Sequence, residues 1–98
     1  MKVAGVAREW YSSPPMRESV YQRRIKREYE QGGAIVVKMD PGPSIPKGFP
    51  DLLVLLSDGR VRLIEMKAKD GKVGPAQKYW HDRFRAMGHD VLVVKAKE

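Results

Sequence analysis

Polar and apolar residues recur along this chain with two different periods, and the switches between them mark out six elements. From Pro14 to Gln31, Glu18, Tyr21, Ile25 and Tyr29 return at three- and four-residue spacing, which is the period of a helix with one inward stripe. That stripe begins with a carboxylate. Ser12 and Ser13 can cap orphan amides, Pro14 and Pro15 suit a first turn, and Gly32-Gly33 ends the helix. Ala34 to Lys38 is short and β-branched and predicts a strand. Asp40 to Pro50, with four prolines and two glycines, predicts a loop. Asp51 to Leu56 and Arg60 to Lys67 are the second and third strands, joined as a hairpin through Ser57-Asp58-Gly59. A lysine- and glycine-rich connection from Ala68 to Gly74 leads to a second helix, Pro75 to Met87, with Ala76, Trp80, Phe84 and Met87 as its apolar face and Gly88 closing it. Val91 to Val94 is the last strand. The order α-β-β-β-α-β describes an α/β fold, a mixed β-sheet flanked by helices. Residues 1–98 are read as a single domain, with 1–13, including Trp10 and Tyr11, as an arm or dimer-contact segment.

The hairpin fixes where the acidic residues fall. In a strand, residues i and i+2 share a face, so Glu65 and Lys67 project together. A two-residue turn at Asp58-Gly59 would pair Asp51 with Met66 and separate the two acids. A three-residue loop, a type I turn with Gly59 left-handed in a G1 bulge, pairs Leu56 with Arg60 and therefore Asp51 with Glu65. It also sets Leu53 and Leu55 opposite Leu63 and Val61, so the hydrophobic pattern favours the same register.

Composition narrows the chemistry. The 98 residues carry 19 Lys and Arg against 12 Asp and Glu, a net charge of +7, which favours a polyanionic partner. With no cysteine, disulfides, thiolate metal sites and cysteine nucleophiles are excluded. The longest apolar run, Leu52 to Leu56, is far short of the roughly 20 residues that cross a bilayer. Met1 to Ala7 lacks the apolar centre of a signal peptide, so the expectation is a cytosolic protein without membrane association. Arg23, Arg24 and Arg27 of the first helix and Lys38 of the first strand are candidates for phosphate contacts. His81 lies one position off the Trp80 stripe and His89 follows Gly88, so both are read as surface residues, while Met16, Met39, Met66 and Met87 are read as packing.

Two carboxylates directly opposite each other repel unless a cation neutralises them or a pKa rises. Mg²⁺ or Mn²⁺ suits such oxygen ligands and leaves room for water and phosphate. Lys67 beside them could orient the attacking water or stabilise developing negative charge. The plainer alternative is an exposed Glu-Lys strand with Asp51 capping a loop. Glu18 and Gln77, each heading an inward stripe, add weight to the first reading.

Taken together, Glu18, Gly48-Phe49-Pro50-Asp51, Glu65-Met66-Lys67, and Gln77 followed by Trp80 resemble the VRR-NUC domain family of the PD-(D/E)XK nuclease superfamily, over about residues 14 to 95. The resemblance implies a restriction-endonuclease-like core and metal-dependent phosphodiester hydrolysis. It implies that Glu18, Asp51 and Glu65 hold Mg²⁺ or Mn²⁺ with the Met66 carbonyl, that Lys67 aligns or activates water, and that Gln77 supports the site. Stand-alone members from phages and bacteria resemble homodimeric Holliday junction resolvases. The expectation is therefore a homodimeric, structure-selective DNA endonuclease of the bacterial cytoplasm, or of the host cytoplasm if phage-encoded, with branched or junction DNA as partner. Three alternatives remain beside it: a nuclease for flaps or nicked duplex, a non-catalytic DNA-binding module retaining the fold, and a small structural or RNA-associated basic protein.

Overall fold

The computed structural model describes residues 18–68 and 70–95, with the side chains of residues 18 and 19 outside the described set. Within it, α1 (Glu18–Gln31), β1 (Ile35–Lys38), β2 (Leu52–Leu55), β3 (Val61–Lys67), α2 (Pro75–Ala86) and β4 (Asp90–Lys95) follow in the predicted order. Their ends differ from the sequence expectation by a residue or so, the usual latitude of element boundaries. The predicted helix start at Pro14 and the arm at 1–13, with Trp10 and Tyr11, lie outside the described residues.

The strands form one sheet in the order β1-β2-β3-β4, antiparallel between β1 and β2 and between β2 and β3, and parallel between β3 and β4. The parallel pair requires a crossover, and α2 supplies it. Alternation then assigns the two faces. Val36, Leu52, Val54, Ile64, Met66 and Val94 share one face and pack with Tyr21, Ile25 and Tyr29 of α1 into the core. Burying three large side chains from one helix stripe contributes about 1.5–3 kcal/mol each, which is what holds α1 to the sheet. Arg62, on this face, donates to the Tyr29 hydroxyl at 3.2 Å and to Asp90 at 3.2 Å, so its charge is paired where the core meets solvent.

The other face carries Asp51, Leu53, Leu55, Leu63, Glu65 and Lys67. Leu63 is buried, but Leu55, Ile35 and Val37 are exposed. The sequence pairs Leu53 and Leu55 with Leu63 and Val61 in the correct register, yet the fuller burial falls on the opposite set, Leu52 and Val54, which pack in the core with Tyr21, Ile25 and Tyr29 of α1. No helix among the described residues is long and apolar enough to cross a membrane.

Candidate active site

The site stands at the end of the β2–β3 hairpin opposite its turn, and the turn determines its register. Gly59 has φ +90°, its N–H bonds to the Leu56 carbonyl at 2.9 Å, and the Leu56 N–H bonds to the Arg60 carbonyl at 2.8 Å. This is the three-residue loop expected from the sequence, with glycine at the left-handed position. Leu52 pairs with Ile64, and one further step sets Asp51 opposite Glu65.

At that step the ladder changes character. Val54 pairs with Arg62 and Leu52 with Ile64, so the next residue of β3 to turn its N–H and C=O toward β2 is Met66, and its partner would be Pro50, which has no N–H. The Asp51 carboxylate takes over: the Met66 N–H donates to Asp51 Oδ2 at 2.7 Å. Asp51 is thereby locked to the strand that carries Glu65 and Lys67, and the Met66 carbonyl receives no N–H from Pro50. Met66 buries its side chain in the core, as expected of packing.

Glu65 is buried, 3% exposed. Two side chains of α2 reach it: Gln77 Nε2 donates to Glu65 Oε2 at 3.3 Å, and His81 Nε2 lies 3.4 Å from Oε1. Gln77 also accepts the Gly74 N–H on its own oxygen at 2.9 Å, which caps the helix start and fixes the amide's orientation. The expectation that His81 is a surface residue is therefore wrong; it is 2% exposed and bonded to a candidate catalytic acid. Burial lowers its pKa from the ordinary histidine value, aided by the positive charges of Arg85 and Lys67 and opposed by Asp82. With Glu65 ionised its carboxylate can only accept, so a hydrogen bond across this contact places a ring proton on Nε2.

The proline-rich loop is tied to α2 by aromatic contacts. Phe49 packs edge-on against Trp80 and Phe84 with ring centroids 4.9 and 5.4 Å apart, and Trp80 Nε1 donates to the Lys47 carbonyl at 3.2 Å. Phe49 thus serves the monomer, while Met87, expected on the apolar face of α2, is 69% exposed where the helix ends. Two grooves open beside the acids. One of about 400 Å³ runs along the loop past Ile45, Lys47 and Asp51, and one of about 430 Å³ lies between Lys47, Gly48 and the start of α2 at Gln77.

Glu18 is the first residue of α1, and its carboxylate lies outside the described residues. Of the candidate phosphate contacts, Arg23 and Arg27 are exposed, Arg24 is half-buried and engaged, and Lys38 is ion-paired with Asp40 at 3.5 Å. Among the described residues no three His, Cys, Asp or Glu side chains form a metal cluster. Two carboxylates and a carbonyl nevertheless suit Mg²⁺ or Mn²⁺, hard cations that take one or two protein carboxylates and fill the rest with water and phosphate. The all-oxygen donor set fits.

A mixed sheet with a helix on each face, and Asp51, Glu65 and Lys67 gathered at the open end of its central hairpin, is the architecture of the restriction-endonuclease-like nucleases. The VRR-NUC domain profile matches residues 43–98, and the chain belongs to that family. It is 33% identical over 84 residues to a protein named "Putative nuclease p44" from Acyrthosiphon pisum secondary endosymbiont phage 1, covering 85% of this chain and 87% of that protein. Among solved structures, a VRR_NUC domain aligns with a TM-score of 0.61 at 28% identity, over 97% of this chain and 86% of that one. Hjc of Archaeoglobus fulgidus, a Holliday junction resolvase, shares the fold with a TM-score of 0.59 at 16% identity, over 80% of this chain and 68% of that one. The protein is a nuclease of the VRR-NUC type.

Proposed function

We propose that this nuclease is a metal-dependent endonuclease for branched DNA, acting as a homodimer on four-way junctions. The observation that carries the metal reading is the Asp51 carboxylate on the Met66 N–H at 2.7 Å, which sets one acid against the strand bearing the other. Asp51, Glu65 and the Met66 carbonyl, with Glu18 from α1, would hold Mg²⁺ or Mn²⁺. A divalent cation bound there supplies Lewis-acid polarisation of the scissile phosphate and eases deprotonation of the attacking water. The chain's own contributions are separable. Lys67, on the face of Glu65, orients the water and balances the negative charge that builds on phosphorus as the new P–O bond forms and the ester bond breaks. Gln77 holds Glu65. Lys47 and the exposed arginines of α1 attract the backbone, and the two grooves beside Asp51 and Gln77 offer it a path. The junction preference draws support from the fold shared with a resolvase.

Labelled junction, flap, nicked and plain duplex DNA, incubated with and without Mg²⁺ or Mn²⁺, test this. We expect cutting only with metal, fastest on the junction. Asp51→Asn, Glu65→Gln and Lys67→Ala should each slow cutting more than a hundredfold, about 3 kcal/mol in the barrier, with DNA still bound. Cutting that ignores chelator or survives in Asp51→Asn overturns the metal site. DNA that is bound and never cut identifies a non-catalytic binding module, and a preference for flaps or nicks removes the resolvase assignment alone.

A further inference from the structure

Gln77 and His81 are four residues apart on α2, so they rise from one face of the helix on successive turns. They reach different oxygens of the same carboxylate, Gln77 at Oε2 and His81 at Oε1. His81 is the one buried residue of α2 among those described. An imidazole in that position costs stability unless its polar atoms are used, and a leucine there would serve packing alone. The charged groups facing it are Glu65 and Lys67 of β3 and Asp82 and Arg85 of its own helix. A glutamate has three side-chain torsions, and two donors from one rigid helix leave it a single arrangement.

We propose that His81 is a positioning residue of the nuclease site, its Nε2–H forming with the Gln77 amide a two-pronged clamp that holds Glu65 in the rotamer that meets a divalent cation beside Asp51. The proposal rests on the reading of Glu65 as a cation ligand and adds the residue that orients it. Groups that orient a metal ligand through a hydrogen bond typically cost 10- to 100-fold in affinity or activity when removed.

The test uses the full chain without DNA, titrated with Mn²⁺ by calorimetry, followed by steady-state cutting of a junction. His81→Leu keeps apolar bulk and removes the donor; His81→Gln places an amide nitrogen near the position of the ring Nε2. We expect His81→Leu to weaken Mn²⁺ binding about tenfold or more and to lower kcat by a similar factor with KM for DNA unchanged, and His81→Gln to recover most of both. A merely structural histidine would lower Tm in His81→Leu while leaving Mn²⁺ affinity at the wild-type value, and that result overturns the proposal, as does a His81→Gln no better than His81→Leu. Should His81→Leu fail to fold, ¹⁵N imidazole spectra of the wild type decide: an Nε2-protonated ring upholds the clamp and an Nδ1-protonated ring overturns it. Wild-type protein that takes up no Mn²⁺ overturns the metal reading and this proposal with it, whereas wild-type uptake with unchanged uptake in His81→Leu overturns only the role of His81.

Discussion

Asp51 has two tasks that substitution can separate. Its charge belongs to the proposed metal site, and its Oδ2 replaces the ladder partner that Pro50 cannot supply to Met66. Asn keeps an accepting oxygen and loses the charge, whereas Ala leaves a half-buried N–H unpaired. Asp51→Asn should therefore lose less than about 1 kcal/mol of stability and Asp51→Ala about 1–3 kcal/mol, although both lose cutting. Urea denaturation measures the difference, and equal stability of the two variants would show that the hydrogen bond contributes nothing. At this scale the sequence makes Asp51, Glu65 and Lys67 legible because strand alternation and turn length are local rules, and it makes Gln77 legible as the head of an inward stripe, with its supporting role implied only by family resemblance. His81 escapes because the apolar stripe through Trp80 and Phe84 runs one position away from it. The signal that would have found it is its spacing of four from Gln77, which puts both on one face whatever their hydrophobicity.

Among the elements, the loop before β2 and the start of α2 are coupled more tightly than the sequence suggests. Gly48 has φ +88°, and a Cβ there would lie 2.5 Å from the Ala76 carbonyl carbon and 2.6 Å from its oxygen. Neither is the movable end of a side chain, so the loop and the start of α2 must move apart. Gly48→Ala should cost about 2 kcal/mol or more and slow cutting, since Gln77 and His81 travel with that helix. Gly42→Ala, whose Cβ meets nothing within 4 Å, is the matched control and should stay within about 0.5 kcal/mol of wild type. Comparable urea midpoints for the two variants would contradict the coupling. The six elements are readable from periodicity, because each is short and bounded by Gly or Pro. Which face of β2 lies deeper is not, since apolar residues occupy both faces of the strand and the outcome depends on which face packs against a helix, a tertiary fact.

For the whole molecule, the net charge of +7 makes DNA binding an ion-release process whose salt dependence reports how many phosphates the protein neutralises. Arg23 and Arg27 are exposed on α1, so Arg23→Ala with Arg27→Ala should leave stability nearly unchanged and reduce the log-log salt slope by about 0.9 for each phosphate no longer neutralised. An unchanged slope would return both to a solvated face. The same scale decides assembly. A four-way junction needs two cuts at symmetry-related positions, and each chain carries one pairing of Asp51 with Glu65. A two-fold homodimer supplies two sites in fixed relation, and isologous contact is the commonest way to build one. A domain near 100 residues buries only about 65% of its unfolded surface, so an added apolar interface stabilises it as well. Light scattering at micromolar concentration should give twice 11.2 kDa, and junction cleavage should yield paired nicks within one binding event. Mixing wild type with excess Glu65→Gln should then produce products nicked on one strand only, because mixed dimers hold a single competent site. A mass of 11.2 kDa together with paired nicks that persist in the mixture would overturn the dimer.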